Sequence, residues 1–182
     1  IVKKSLLAVT KNKNEVKIAD ISCGCAGFLL TAAKAIKSLT GRSYYLIFKE
    51  NIFGLDIQDY SIERAKILLS VLAISEGEDE PYFDFNLFCG DALNFKWRKV
   101  LENFVGFDMI IGNPPYVCSR NINDKTKALL ANWEVCGSGH PDLYIPFFQI
   151  GTELLIPDGI LGLITMNSFF KSLNGRSLRN YF

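Results

Sequence analysis

The chain has 182 residues, of which 49% are hydrophobic, and its 20 basic and 19 acidic residues leave a net charge of +1. That length and apolar content predict one globular domain with a continuous core. This nearly neutral net charge gives no overall positive potential that would attract nucleic acid, although a local basic patch is compatible with it. Five cysteines without a C-x-x-C pair, and a single histidine, predict neither a disulfide framework nor a metal site.

The sequence also carries no signal for a membrane or for secretion. No segment has the pattern of a signal peptide, and no apolar run reaches the length of about 18 residues that a membrane span needs. We therefore expect a cytoplasmic protein without membrane contact. The chain begins at Ile1 without a methionine and ends inside a helical pattern, which predicts a domain truncated at both ends.

In the first half of the chain, strand patterns alternate with helix patterns. In order, they predict a strand over residues 16–22, a helix over 26–39, a strand over 51–56, a helix over 60–74 and a strand over 82–91. Helical spacing gives each helix one apolar face: Phe28, Ala32, Ile36 and Leu39 in the first, and Ile62, Ala65, Leu69 and Leu72 in the second.

The second half continues the alternation after one long interruption. Residues 107–112 predict a buried strand, and residues 117–141 have no periodicity, which is typical of a functional loop. A helix follows over 142–156, then a turn at 157–159, a strand over 160–167 and the start of a further helix in 172–182. This order predicts an α/β fold: a doubly wound, mostly parallel sheet with helices on both faces.

A glycine turn, "DISCGCAGF" over residues 20–28, joins the first strand to the first helix. Such turns hold ligands in α/β sheets, because small residues let the backbone approach and the helix N-terminus offers free N–H groups. Gly24 and Gly27 do not complete G-x-G-x-x-G, and no G-K-[ST] follows, so neither a dinucleotide fingerprint nor a phosphate loop is present. A purely structural turn explains these glycines equally well.

Three acids stand where successive predicted strands end. Asp20 and Asp56 close the first and second strands, and Asp91 follows the third. Each alone is explained as a helix cap or a turn residue. Because the carboxyl ends of parallel strands meet at one edge, the three together indicate a ligand that carries an amine and hydroxyl groups, with Asp56 suited to the hydroxyls of a ribose.

The fourth strand runs directly into Asn113-Pro114-Pro115-Tyr116. Proline ends the strand, since it has no N–H for the sheet and restricts the preceding residue. The Asn113 amide oxygen and a backbone carbonyl held by proline geometry can accept both hydrogens of one amino group. Tyr116 offers a face for a base outside its stack, a contact that contributes about 1–3 kcal/mol. The tetrapeptide therefore indicates an amine positioned to attack a methyl group, and the structural alternative is a turn with a buried tyrosine.

The motifs "DISCGCAGFLL", "IFGLDI", "CGDAL", "FDMIIGNPPYV" and "HPDLYIPFFQIGTELLIPDGILGLITMNSFF" occur in the order found in N6-adenine DNA methyltransferases of the gamma arrangement. From about Val16 onward, the chain resembles the methyltransferase region of single-chain restriction-modification enzymes. The resemblance implies a Rossmann-like methyltransferase fold with S-adenosylmethionine as the methyl donor. It also implies transfer to the N6 amino group of a flipped-out adenine in double-stranded DNA, together with a fused or separate endonuclease.

The resemblance assigns roles to individual residues. Asn113 and the Pro114 carbonyl would accept hydrogen bonds from the target amino group. Pro115 would link them to Tyr116, whose ring would stack on the base. The cofactor would be bound by Asp20, Ser22, Cys23, Gly24, Gly27, Phe28, Asp56, Ile57, Asp91, Ala92 and Asn113. Within a partial catalytic domain over 1–182, the cofactor half is 16–95 and the catalytic half is 105–182. A target-recognition domain is not expected in this chain.

The chain departs from the family's pattern at several points. Ala26 stands where the family often has glycine, which would narrow the space near the cofactor. The family's motif that closes the cofactor pocket would precede Ile1.

Two other functions remain open. N-P-P-Y suits any planar amide or amine, so methylation of a protein glutamine or of RNA is one alternative. A cofactor-binding module without turnover is the other, and intact Asn113 and Tyr116 argue against it.

Overall fold

The computed structural model describes residues 2–9 and 11–182, and its centre is one sheet of five parallel strands. The strands are β1 (Ile18–Asp20), β2 (Ile52–Asp56), β3 (Asn86–Cys89), β4 (Phe107–Gly112) and β5 (Leu155–Leu163), in the spatial order β3-β2-β1-β4-β5. The strand order reverses at β1, where Ile18 lies between Ile52 of β2 and Met109 of β4. The doubly wound parallel sheet predicted from the alternating pattern is confirmed.

Helices cover both faces of the sheet, as predicted. They are α1 (Val2–Ala8), α2 (Gly27–Thr40), α3 (Tyr44–Glu50), α4 (Asp59–Ser75), α5 (Asp124–Leu130), α6 (Pro146–Leu154) and α7 (Arg176–Tyr181). One apolar core lies between the sheet and α1 to α4, and a second lies between the sheet, α5, α6 and the segment 93–104. Met109 and Ile111 enter the first core and Ile110 the second. Burial on both faces explains why β4 is apolar except for the buried Asp108.

The predicted apolar face is correct for α4 and partly wrong for α2. The four predicted residues of α4 are all buried. In α2, Phe28 is only half-buried and Leu39 is 42% exposed, while Leu29 and Ala33 join Ala32 and Ile36 in the core. The buried face of α2 is therefore rotated by one residue, because the sheet contacts the side that carries Leu29 and Ala33.

The third strand is shorter than predicted, and the helix that precedes β2 was not predicted. Phe83 and Phe85 lie before β3, and their ring centres are 5.7 and 5.3 Å from that of Phe48 in α3. Their strand-like alternation thus reflects an aromatic cluster and not a strand. Helix α3 begins after Ser43, whose hydroxyl accepts the Leu46 N–H. This N-cap is the sequence signal that could have revealed α3.

The predicted long loop at 117–141 is wrong in part, because it contains a helix. Asn123 caps α5 by accepting the Thr126 N–H, and single turns of 3₁₀ helix occur at Ser119–Asn121 and Glu134–Cys136. Helix α5 has seven residues and buries only Leu130. So short a helix with one buried residue leaves almost no periodicity in the sequence.

Helix α6 and strand β5 also differ from their predicted bounds. Pro146 occupies the first turn of α6, the position that tolerates proline, and the helix ends at Leu154. The predicted turn at 157–159 lies inside β5. Phe107 pairs with Leu155 and Met109 pairs with Ile160, so the turn residues form a bulge, with Asp158 at a φ of 62°. The C-terminal helix, predicted within 172–182, is α7.

No helix in the described ranges combines the length and apolar character that a bilayer crossing requires.

Candidate active site

A cavity of about 310 Å³ opens at the carboxyl ends of the central strands. This is the crevice that the reversal of strand order creates between β1 and β4. Its walls come from the segments after β1, β2, β3 and β4, from α5 and from the start of α6. They consist of Ile21, Ser22, Asp56, Ile57, Gly90, Asp91, Ala92, Leu93, Asn113, Pro115, Val117, Thr126, Leu143 and Phe147. Residues predicted from four separate motifs therefore meet in one place.

The glycine turn and the Asn-Pro-Pro-Tyr loop are in direct contact. The Ser22 hydroxyl donates to the main-chain carbonyl of Asn113 at 3.3 Å. Within the turn, Gly24 has a φ of 51° and Ala26 a φ of 66°, and the Ala26 side chain is fully buried. The left-handed conformation explains why glycine suits position 26, and Ala26 occupies it at a cost of about 1–2 kcal/mol. The Ala26 methyl group points into the core, so it does not narrow the cavity.

Asp56, at the end of β2, connects the glycine turn to α4. One carboxylate oxygen accepts the Gly24 N–H at 2.9 Å, and the other accepts the Gln58 N–H at the same distance. A carboxylate has about four acceptor positions, so each oxygen keeps capacity for one more donor. Asp56 lines the cavity, and the neighbouring Ile57 side chain is 61% exposed beside it. The site thus offers two acceptor oxygens next to an accessible apolar side chain.

Asp91 extends this edge beyond β3. One of its oxygens accepts the Leu93 N–H at 3.0 Å, and the preceding Gly90 N–H donates to the Asp56 carbonyl at 2.9 Å. In the described residues, no group donates to the other Asp91 oxygen. Asp91 and Ala92 both line the cavity. A partly exposed acceptor therefore lies at the end of β3, which β2 and β1 separate from β4.

Asp20 differs from the other two acids because it is only 1% exposed and does not line the cavity. It accepts the Ser22 N–H at 3.0 Å, and Gly112 packs so closely that a Cβ added there would lie 2.7 Å from the Asp20 carboxylate. Burial raises the pKa of Asp20 to about 7; the Ser22 N–H opposes this effect, and the negative charge of Asp56 adds to it.

Cys23, Gly24, Gly27 and Phe28 were also predicted to bind a cofactor, but none of the four lines the cavity. Cys23 is buried, and burial, followed by the charge of Asp20, raises the pKa of its thiol well above the ordinary value. A buried thiol held in its neutral form is a poor nucleophile. Gly27 and Phe28 form the first turn of α2.

The loop after β4 presents an exposed amide and an exposed aromatic ring. Asn113 is exposed, Pro114 is buried, Pro115 is half-buried and Tyr116 is 44% exposed. The Tyr116 hydroxyl lies 2.7 Å from the Asn113 side-chain oxygen and 2.7 Å from the Ile164 carbonyl. In the part of the chain that the structure describes, no donor reaches the Pro114 carbonyl. The loop thus combines a free backbone acceptor, an amide and a flat ring.

The segment after Tyr116 is fixed by residues that precede α6. The Leu143 N–H donates to the Val117 carbonyl at 3.0 Å, and the Asp142 carboxylate accepts the Ser119 N–H at 2.9 Å. Sequence reasoning treated "DLYIPFF" only as a family motif. These two hydrogen bonds give its first residues a physical role, because they hold the main chain that follows the Asn-Pro-Pro-Tyr loop.

Several cavity residues were missed from the sequence. Leu143 and Phe147 come from the start of α6, Thr126 comes from α5, and Val117 and Leu93 follow strand ends. A signal existed for Phe147: a helix that connects parallel strands begins at the carboxyl edge of the sheet, so the first turn of α6 must lie there. No such signal existed for Thr126, because α5 itself was not predicted. Over residues 2–9 and 11–182, no three His, Cys, Asp or Glu side chains are grouped so that they could hold a metal ion.

The comparisons with known proteins agree with this geometry. The model of the Eco57I restriction-modification methylase family matches residues 50–182. The type II methyltransferase M.BstVI of Geobacillus stearothermophilus is 28% identical over an alignment of 179 residues, which covers 94% of this chain and 32% of that enzyme. The chain thus spans about a third of the length of this relative.

Solved structures share the fold. A protein from Listeria monocytogenes, described as a class I S-adenosylmethionine-dependent methyltransferase, superposes with a TM-score of 0.71 at 19% identity and covers 99% of this chain and 48% of its own. The restriction-modification enzyme LlaBIII, solved bound to DNA, superposes with a TM-score of 0.73 at 20% identity and covers 98% of this chain and 15% of its own. The fold is therefore the Rossmann-like fold of S-adenosylmethionine-dependent methyltransferases.

Proposed function

This chain belongs to the Eco57I restriction-modification methylase family, and from that membership and the geometry of the cavity we propose that it transfers a methyl group from S-adenosylmethionine to the N6 amino group of an adenine flipped out of double-stranded DNA. The observation that carries the proposal is the loop after β4. An exposed amide, a Pro114 carbonyl to which no described group donates and an exposed Tyr116 ring occur together in this loop, and its Asn113 and Pro115 line a cavity with an acidic edge.

The cavity fits the proposed cofactor. Its volume of about 310 Å³ lies at the lower end of the range for small-molecule sites. Asp56 has acceptor capacity for two ribose hydroxyls, since each oxygen accepts only one backbone N–H. Ile57 would contact the adenine ring, and the free oxygen of Asp91 would accept from the adenine amino group. When bound, S-adenosylmethionine supplies an electrophilic methyl group on a sulfonium.

The main work of the protein in this mechanism is to position the target amine. Asn113 and the Pro114 carbonyl accept the two hydrogens of N6, which directs its lone pair toward the methyl donor. The same two oxygens stabilise the positive charge that develops on the nitrogen during transfer. The Tyr116 ring stacks on the base outside the helix. Such a reaction depends on orientation more than on a strong base.

The partner is double-stranded DNA, read by a recognition domain outside these 182 residues. The net charge of +1 is consistent with a separate recognition domain, because that domain would make the contacts with the DNA bases and most contacts with the DNA backbone. The similarity to restriction-modification enzymes supports such a system, and one of them, LlaBIII, was solved bound to DNA. An endonuclease, fused or separate, would complete the system.

A methylation assay with the complete protein tests the proposal. Labelled S-adenosylmethionine is offered with adenine-containing duplex DNA, with structured RNA and with a glutamine-containing protein, in separate reactions. We expect label in the duplex, at N6 of adenine. We also expect Asn113→Ala to lower the rate by roughly 10²–10³-fold, as the loss of one donor or acceptor in a charge-stabilising site does. The matched control is Asn132→Ala, which removes an exposed asparagine outside the cavity.

Two outcomes would contradict the proposal. Label found only in RNA or only in protein would overturn the DNA substrate while leaving a methyltransferase. An Asn113→Ala protein with the activity of the wild type would remove the mechanism, whatever the substrate.

A further inference from the structure

The Tyr116 hydroxyl is placed between two oxygens that it cannot both satisfy. It lies 2.7 Å from the Asn113 side-chain oxygen and 2.7 Å from the Ile164 carbonyl. A phenol has one proton, so it can donate to only one of the two. The other pair would then be two oxygens at hydrogen-bond distance without a hydrogen between them. An arrangement that satisfies all three groups needs a donor on the Asn113 side.

The amide itself supplies that donor. The oxygen and nitrogen of an asparagine amide have nearly the same shape, and the hydrogen-bond network decides which atom faces which neighbour. With Nδ2 facing the tyrosine, the Asn113 N–H donates to the Tyr116 hydroxyl, which in turn donates to the Ile164 carbonyl. Both distances of 2.7 Å suit these bonds. This orientation turns Oδ1 of Asn113 away from Tyr116.

The far end of this chain of bonds is fixed to the sheet. The Ile164 N–H donates to the Gly112 carbonyl at 2.9 Å, which extends the pairing of β4 with β5 by one residue. Gly112 immediately precedes Asn113. The Ile164 carbonyl is therefore held in a position set by the same backbone that carries the catalytic amide.

We propose that the Tyr116 hydroxyl is a positioning group, separate from the stacking ring: by linking the Asn113 amide to the Ile164 carbonyl, it fixes Oδ1 of Asn113 as the acceptor that faces the target amino group. This inference rests on the proposed function of the same loop. It assigns two tasks to one side chain, since the ring binds the base while the hydroxyl orients the amide. Without the hydroxyl, the amide rotates freely and presents N–H or oxygen to the amine.

The test compares Tyr116→Phe with Tyr116→Ala in the complete protein, on the substrate that the wild type labels. Phenylalanine keeps the ring and removes only the hydroxyl. We expect Tyr116→Phe to lower kcat by about tenfold, the effect of one lost hydrogen bond, and to leave the KM values for substrate and for S-adenosylmethionine unchanged. Tyr116→Ala also removes the ring and raises the KM for substrate. The thermal midpoint of unfolding of Tyr116→Phe stays at the wild-type value, because the side chain is 44% exposed.

The matched control is Tyr144→Phe. The Tyr144 hydroxyl makes a similar hydrogen bond, 3.1 Å to the Ser168 hydroxyl, and its ring centre lies 6.1 Å from that of Tyr116. We expect this variant to keep the wild-type kcat. A Tyr116→Phe protein with wild-type kcat would overturn the positioning role, as would one in which KM rises and kcat does not fall. The identity of the labelled substrate tests the proposed function separately, since the comparison of variants uses whatever the wild type methylates.

Discussion

Replacing Asp20 by asparagine should make the folded protein more stable above neutral pH. The Asp20 carboxyl is 1% exposed and accepts a single N–H, from Ser22, at 3.0 Å. Asparagine has nearly the same shape and keeps an oxygen for the Ser22 N–H, but it carries no charge. Gly112 leaves no room for a larger group, because an added Cβ would lie 2.7 Å from the carboxylate. Asp20→Asn therefore isolates the effect of the charge.

The magnitude follows from the pKa of Asp20. Burial, as the largest cause, raises this pKa from 3.8 to about 7 in the folded state. Between those values the folded state holds a proton that the unfolded state has lost. The stability from this proton is complete below pH 3.8, falls as the pH rises toward 7 and is absent above 7. A difference of about three pH units corresponds to about 4 kcal/mol, at about 1.36 kcal/mol per unit.

Urea denaturation between pH 4 and pH 8.5 measures this effect. We expect the free energies of unfolding of Asp20→Asn and wild type to be similar near pH 4, to diverge up to pH 7 and to differ by about 4 kcal/mol above it, with Asp20→Asn the more stable. Asp79→Asn, at an exposed carboxylate between α4 and β3, is the control and should follow the wild-type dependence of the free energy of unfolding on pH. A difference between Asp20→Asn and wild type that stays constant across the pH range would refute the reasoning.

Two further substitutions probe the cavity and the approach of β4 to β1. Asp56→Ala should weaken binding of S-adenosylmethionine by about 100-fold in titration calorimetry, because two hydroxyl hydrogen bonds are lost, whereas Asp59→Ala, outside the cavity, should not. Equal affinities would remove Asp56 from the cofactor site. Gly112→Ala should lower the free energy of unfolding by about 1–3 kcal/mol, because the new Cβ would clash with the Asp20 carboxylate. Gly27→Ala is the control and should not cause this loss, because a Cβ at that position has no atom within 4 Å. Unchanged stability in Gly112→Ala would show that β1 and β4 separate easily.

The position of the site was predictable because strand ends are readable from sequence. Burial on both faces makes residues 109–112 of β4 an apolar run, so the end of the strand is marked by the polar Asn113 and the prolines after it. Asp56 is marked in the same way at the end of β2. Once the sheet is known to be parallel, these ends must share one edge. The contact between Ser22 and Asn113 then follows from β1 and β4 being neighbours.

Other parts of the site could not be predicted, because they depend on contacts between distant segments. Thr126 reaches the cavity through α5, a seven-residue helix held by a capping asparagine and by Leu130 alone. The hydrogen bond between Tyr116 and Ile164 spans 48 residues and joins a side chain to a main-chain carbonyl. Any residue type at position 164 would supply that carbonyl. No sequence pattern can therefore identify it.

The three acids of the predicted site have similar positions along their strands but different degrees of burial. Each stands at or just after a strand end, so the sequence gives them equal weight. Asp20 ends the central strand, between β2 and β4, and is buried, whereas Asp56 and Asp91 lie toward the β3 edge and are partly exposed. Burial raises the pKa of Asp20 to about 7, so its charge changes near neutral pH. Asp56 and Asp91 instead present their carboxylate oxygens to the cavity.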